Sequence, residues 1–275
     1  RAHYLPSIIS GETVCALAIT EPGTGSDMAG IETRARREGD EWVITGAKTF
    51  TTNGVYGDLY FVAARTHDDG PLHAQLSQFL VAAGTPGLLV ASKLRKTGML
   101  SSDTAELVFD EVRVPANNLL GKEGRGFYQL ASGLQRERLL AAVLSVSASQ
   151  QALDDTRAYL QQRQAFGRNL AEFQVLRHRI ADMSTQIEAA RQLTYHAAEM
   201  FSEGEDCITE VSMAKLFATE VANLIGYESV QLHGGYGYVR ETAVERFARD
   251  YRLWTIAAGS SEMMREIISK GLLPE

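Results

Sequence analysis

Proline placement constrains the fold of this chain more than any other feature. Pro6, Pro22, Pro71, Pro86 and Pro115 all fall before residue 116, and the next proline is Pro274. Proline lacks a backbone donor and clashes with the preceding turn, so it is kept out of helix interiors and central strands. The stretch from 116 to 273 is therefore open to long helices, whereas the stretch before it must be built from shorter elements. This divides the chain into a β-domain over 1–118 and a helical bundle over 119–275.

Residue patterning agrees on both sides. Upstream, candidate strands lie at 15–19, 42–44, 60–64, 79–81, 88–90, 106–109 and 112–114, separated by turn formers. Glu38-Gly39-Asp40 reads as a hairpin turn and Asp68-Asp69-Gly70-Pro71 as a loop. Such strands without helical periodicity predict a small sandwich or barrel. Downstream, Leu176, Ile180, Met183, Ile187, Ala190, Thr194, Ala197 and Phe201 recur at steps of four and three. That spacing predicts a narrow seam on a helix packed against other helices. Ala214, Phe217, Val221 and Leu224 continue the pattern on a further helix, with Gly204 and Asp206 marking the gap. A bundle of about four or five helices follows.

At 275 residues, 45% of them hydrophobic, the chain can bury one large core or two ordinary ones. A net charge of −7 argues against a nucleic-acid binder. Cys15 and Cys207 have no paired or metal-ligand spacing, so neither a disulfide framework nor a metal site is expected. A reducing, cytoplasmic-type compartment fits. No apolar run approaches the ~20 residues of a membrane span. Arg1-Ala2-His3-Tyr4-Leu5-Pro6 has no signal-peptide pattern, and the chain reads as beginning inside a longer protein.

One carboxylate stands out. Phe127, Leu130, Leu134, Glu137, Ala141, Leu144 and Ala148 step by three and four along the first long helix. Glu137 is the charged member of this stripe. Burial penalises its ionised form and raises its pKa, as a general base near neutral pH requires. The alternative is a carboxylate at the edge of the stripe, paired with Arg136, Arg138 or another arginine.

Four segments carry more specific information. Thr20-Glu21-Pro22-Gly23-Thr24-Gly25-Ser26-Asp27 reads as a strand end entering a loop with free backbone donors. Arg163-Gln164-Ala165-Phe166-Gly167 reads as the late part of a long helix. Leu232-His233-Gly234-Gly235-Tyr236-Gly237 and Gly259-Ser260-Ser261-Glu262 follow. In this order and spacing they resemble the flavin-binding signatures of the acyl-CoA dehydrogenase family, and the resemblance covers essentially the whole chain.

The resemblance implies a middle β-domain and a C-terminal helical bundle, with the family's N-terminal helical domain missing from the sequence given. It implies FAD as cofactor, an acyl-CoA substrate, an electron-transferring flavoprotein as redox partner, and a homo-oligomer, usually a tetramer. In the family FAD lies between the β-domain and the bundle. Carried over, Ile19, Thr20 and the loop through Ser26 offer donors to the isoalloxazine edge, and Ser26 also lies near the CoA moiety. Phe50, Thr51 and Thr52 match an aromatic-x-Thr-Asn stretch against the flavin ring; by itself Phe50 reads as core. Arg163, Phe166 and Gln174 match residues that bind the diphosphate and adenosine of a neighbouring subunit's FAD. Gln231, Gly234 and Gly235 match a loop at the same half of the cofactor, and Ser260 and Glu262 match positions that reach back to it.

The pattern departs from most relatives at the catalytic glutamate. The usual position is Ala258 here, preceded by Ala257. A smaller set, including isovaleryl-CoA and some long-chain dehydrogenases, carries the base in a Glu-Arg pair on the bundle helix, and Glu137-Arg138-Leu139-Leu140-Ala141 matches it. Arg138 then lies by the substrate; on sequence alone it is equally a solvated arginine. The Ala258 amide remains as a donor to the thioester carbonyl. Two small residues at 257 and 258 leave room for a branched or longer acyl group. Two other readings stay open: an acyl-CoA oxidase-like flavoenzyme, and a non-catalytic subunit of a hetero-oligomer.

Overall fold

The computed structural model describes residues 4–273; the chain start at Arg1 and the last proline, Pro274, lie outside them. The chain forms two compact units, Arg1–Lys96 with Leu100–Ser132, and Thr97–Met99 with Gly133–Glu275.

The first unit opens with a short helix, α1 (Leu5–Ser10), closed by Gly11 in the left-handed region. Seven strands follow: β1 (Cys15–Ala18), β2 (Arg34–Glu38), β3 (Glu41–Thr52), β4 (Leu59–Arg65), β5 (Leu76–Ala82), β6 (Leu88–Lys93) and β7 (Thr104–Pro115). They form one sheet in the order β1-β4-β2-β3-β7-β6, with β5 also on β4. β1 runs parallel to β4, while β3–β7, β4–β5 and β6–β7 are antiparallel. Alternate residues of β4 face opposite sides. Tyr60, Val62 and Ala64 join the main core with Trp42, Phe79 and Leu107, whereas Ala63 joins a smaller one with Ile31 and Leu76. A strand covered on both faces reads as a continuous apolar run, which is why 60–64 was legible.

Two strand expectations need correction. Candidates 106–109 and 112–114 are a single strand, β7, locally bent where Glu111 takes a φ of 49°. β2 escaped the hydrophobic pattern because it reads Arg-Ala-Arg-Arg-Glu, with Ala35 alone buried. It is held by its ladder to β3 and by exposed cross-strand pairs such as Arg36–Glu111 and Arg113–Glu38, individually weak. The Gly39-Asp40 hairpin joins β2 to β3 as expected.

Within β3, Gly46 sits at a register shift with a φ of 154°. A Cβ there would lie 2.4 Å from Thr33 Oγ1 and 2.8 Å from Thr33 Cα. Gly46→Ala is expected to destabilise this unit by ~1–3 kcal/mol, an overpacking cost readable as a lowered melting midpoint.

The second unit is built on α2 (Gly126–Gln162), whose first turns belong to the first unit, with α3 (Gln174–Glu203), α4 (Ile208–His233), α5 (Ala243–Tyr251) and α6 (Ser261–Leu272). The α3 seam is as the periodicity predicts: Met183, Ile187, Ala190, Thr194 and Ala197 are buried. Gly204 closes α3 in the left-handed region. α4 packs against α3, α5 and α6. It is therefore buried on several sides, through Ala214 and Val221 but also Lys215, Ala218 and Ala222, whereas Leu224 is exposed.

On α2 the predicted stripe is buried at Leu130 and Ala141 but not at the positions between and beyond them. Leu144 and Glu137 are exposed, and the buried line runs through Arg138, Ala142, Ser145, Ser149, Leu153 and Thr156. Small hydroxyl residues occupy that line, so a search for large apolar residues settles on the wrong face. Among the described residues no helix is long and apolar enough to cross a membrane.

Candidate active site

In the first unit the root of the Thr20–Asp27 loop is fixed from beneath. Thr49 N–H donates to the Thr20 carbonyl at 2.8 Å, and Glu21 and Thr24 exchange two backbone hydrogen bonds around Pro22-Gly23. The Glu21 side chain turns inward. Its carboxylate accepts from Lys48 Nζ at 2.7 Å, Glu32 N–H at 2.7 Å and Thr33 N–H at 2.9 Å. Lys48 also donates to the Ile19 carbonyl at 2.9 Å. Burial raises the Glu21 carboxyl, but Lys48 and the hydrogen bonds outweigh it and hold the group below the ordinary range. Burial pushes Lys48 down to about 8, with Glu21 pulling the other way. Above this clamp, the Gly25 and Ser26 N–H groups meet no protein acceptor among the described residues, and Ser26 is exposed.

The end of β3 lies beside this root, through the Thr49–Thr20 bond. Phe50 and Asn53 are both left-handed, with φ of 54° and 58°. Phe50 is 68% exposed and is not core. Thr51 is buried, its hydroxyl without a hydrogen-bond partner among the described residues, and Thr52 faces solvent. Ile19 and Thr20 thus lie beside the end of β3, where Phe50 and Thr52 are exposed and Thr51 is turned inward.

In the second unit, Arg163 lies just past the end of α2 rather than within it. Gln164–Ala165 pairs with Arg168–Asn169, and Phe166 and Gly167 make the turn at φ of 52° and 77°. Two successive positive φ values are those of a tight hairpin turn. Arg163, Gln231, Gly234 and Gly235 line one cavity of about 810 Å³. Gly234 ends α4 at a φ of 60°. Apart from its chain neighbours, a Cβ built at Gly234 or Gly235 meets nothing within 4 Å among the described residues, so both glycines open the wall. The sequence reading missed Tyr159 and Arg179, which also line this cavity; His233, inside a quoted motif, stacks on Tyr159 at 4.4 Å. Phe166 and Gln174 fall outside the lining. Phe166 is 94% exposed at the hairpin tip, and Gln174 opens α3 beside the lining residue Val175.

The remaining candidates gather where α6 begins. Ser260 caps the helix, its hydroxyl accepting from Met263 N–H at 3.3 Å. Glu262 is held below its ordinary range by its backbone N–H and the Ser260 hydroxyl. Just before the cap, Ala258 and Gly259 have φ of 55° and 97°. Arg138 Nε donates to the Ala258 carbonyl at 3.1 Å, and Lys215 Nζ to the Gly259 carbonyl at 2.6 Å. Arg138 is 8% exposed, so it is no solvated arginine. Glu137 makes no hydrogen bond or ion pair among the described residues. Its side chain meets solvent, yet enough protein surrounds the carboxyl for burial to raise its pKa, against the pull of Arg138.

The family model described as the acyl-CoA dehydrogenase middle domain matches residues 16–112, and that for the acyl-CoA dehydrogenase C-terminal domain matches 124–273. The chain belongs to the acyl-CoA dehydrogenase family. The mitochondrial long-chain specific acyl-CoA dehydrogenase of Sus scrofa is 40% identical over 98% of this chain, which spans 63% of that relative's length. A subunit of the caffeyl-CoA reductase–Etf complex of Acetobacterium woodii is 38% identical over 98% of this chain and 71% of its own. The crystal structure of an acyl-CoA dehydrogenase from Geobacillus kaustophilus superposes with a TM-score of 0.97 at 43% identity, over 98% of this chain and 72% of that one. The loop, the hairpin and the α6 cap all fall within the stretches that the two acyl-CoA dehydrogenase domain models match. The buried cations Lys48 and Lys215 beneath two of them were not singled out from sequence. A lysine inside an apolar stretch, as in Met213-Ala214-Lys215-Leu216-Phe217, was the available signal.

Proposed function

We propose that this chain carries out FAD-dependent α,β-dehydrogenation of an acyl-CoA thioester, branched or longer in chain, and passes the electrons to an electron-transferring flavoprotein. The observation that carries the reading is the Glu137 carboxyl: open to solvent, without a hydrogen-bond or ion-pair partner among the described residues and raised in pKa by burial, one residue from the arginine that holds the Ala258 carbonyl. The fit to FAD rests on the donor chemistry. The cavity with Arg163, Arg179, Gln231 and two open glycines suits a diphosphate and nucleoside. The free N–H groups at Gly25 and Ser26 and the unpartnered Thr51 hydroxyl suit a polar ring edge. Ile19, Thr20, Ser26, Phe50 and Thr52 would complete that side, and Phe166, Gln174, Ser260 and Glu262 the nucleotide side, supplied to a second copy in a homo-oligomer, a tetramer by family habit.

When bound, FAD supplies the two-electron acceptor for the hydride leaving the β-carbon. The protein's part is acid–base and positional. Glu137 removes the α-proton. The Ala258 N–H, which meets no protein acceptor among the described residues, donates to the thioester oxygen as enolate charge develops. Small side chains at Ala257 and Ala258 leave space for the acyl group. Cys15 and Cys207 as free thiols suit a reducing, cytoplasmic-type compartment.

The test is anaerobic titration of the flavin-loaded chain with short, branched and long acyl-CoAs. Bleaching of the flavin by branched or long substrates is expected. A yellow protein that no acyl-CoA bleaches would sink the reading. A colourless one would favour a non-catalytic subunit, and rapid re-oxidation in air an oxidase.

A further inference from the structure

Lys215 is the most anomalous charged group in the second unit. Its side chain is fully buried on α4. Among the described residues it has one hydrogen-bond partner, the Gly259 carbonyl, and no carboxylate within ion-pair distance. A buried ammonium without a counter-ion is costly, and a methionine of similar length would fill the same space without that cost. Packing therefore does not explain the residue.

The loop it touches is the second anomaly. Ala258 and Gly259 are consecutive residues in the left-handed region, which a β-carbon disfavours at Ala258. Gly259 holds a backbone conformation that residues with a Cβ rarely adopt, and a Cβ there would meet the terminal methyl of Met264 at 2.7 Å. Strained backbone of this kind persists where neighbours over-determine it. Here the neighbours are two buried cations on two helices, each holding one of two successive carbonyls. With both carbonyls drawn to this side, the Ala258 N–H is left without a protein acceptor among the described residues.

Resting on the dehydrogenase reading above, we propose that Lys215 is a positioning residue: with Arg138 it locks the Ala258–Gly259 pair so that the Ala258 N–H faces the thioester oxygen, and their two charges form a cationic backing that stabilises the enolate. Arg138 on α2 opposes the Lys215 charge, whereas Glu220 on α4 and Glu262 on α6 favour it without touching the ammonium. Burial, with Arg138 adding to it, brings Lys215 down to about 8, so the ammonium form prevails at neutral pH.

The experiment uses the flavin-loaded chain and a 3-oxoacyl-CoA, whose α-proton ionises to an absorbing enolate without turnover. The wild-type chain is expected to bind it and lower its enolisation pKa. Lys215→Met is expected to melt no earlier than wild type, yet to raise that pKa by ~1–2 pH units, a 10–100-fold loss of enolate stabilisation. A Lys215→Met chain with flavin bound and the enolisation pKa unchanged overturns the proposal and leaves the dehydrogenase reading standing. If that variant loses its flavin or fold, Lys215→Gln, uncharged but still a donor, decides: a raised pKa supports the charge, an unchanged one overturns it. A wild-type chain that binds no 3-oxoacyl-CoA overturns the dehydrogenase reading, and this proposal falls with it.

Discussion

A Glu137→Gln chain is expected to retain its flavin and fold and to lose acyl-CoA dehydrogenation by ~10²–10⁴-fold, the usual contribution of a positioned general base. The amide keeps the size of the carboxyl and cannot take the proton. Glu137 holds no hydrogen bond or ion pair among the described residues, so its replacement breaks no structural contact. The sign of its pKa shift also fixes the pH behaviour. Burial raises the carboxyl above its ordinary 4.5, so the folded chain binds a proton that the unfolded chain has released over the window between the two values. Glu137 therefore costs stability as pH rises through that window, and the Gln variant should melt at or slightly above wild type at neutral pH. The acid limb of kcat/KM should follow the same group, with activity appearing above a pKa higher than 4.5. Normal turnover by the Gln variant would falsify the base assignment.

The second large effect concerns stability. Glu21→Gln or Lys48→Met alone should cost ~3–5 kcal/mol, because each leaves a buried group without its charged partner. For a chain of this size that corresponds to a fall of roughly 6–20 °C in the melting midpoint. Replacing both together should recover a large part of the loss. Glu21 titrates below its ordinary value in the folded chain, so its contribution is complete above about 4.5 and is lost as pH falls through the lower folded value. Glu21→Gln should therefore flatten the acid side of the stability profile. Lys48→Met has an added consequence, since Lys48 also holds the Ile19 carbonyl at the root of the loop. Thermal melts across pH decide the matter; single variants within a degree or two of wild type would mean the pair is not a clamp.

The fold was legible where burial and side-chain chemistry coincide. On α3, Met183, Ile187 and Ala190 repeat with the helix and are buried as read. β4 is apolar because both faces are covered. Reading failed where backbone bonding or small residues do the work. β2 is a ladder of charged residues around one buried alanine. The buried line of α2 mixes Ser145, Ser149 and Thr156 with Ala142 and Leu153, while Leu140 and Leu144 face outward. Glu137 was singled out by a stripe that is buried at Leu130 and Ala141 but not at Glu137 itself, although burial raises its pKa as that argument required. The site was legible as segments, because glycines and hydroxyl residues in a fixed order are local signals. Its buried cations were not, because Lys48 and Lys215 act through carbonyls distant in sequence, on Ile19 and Gly259.

The strand order of the first unit governs how the chain comes together in time. β1 must wait for β4 to lie parallel beside it, and β3 for β7, with most of the β-unit's length between the first and last partners. Each such pairing closes a long loop before any contact rewards it, whereas the turns of α3 and α4 form from near neighbours. The β-unit is thus the slow half to assemble, and its apolar strands, above all β4, are the segments most exposed to aggregation while the polypeptide is being made.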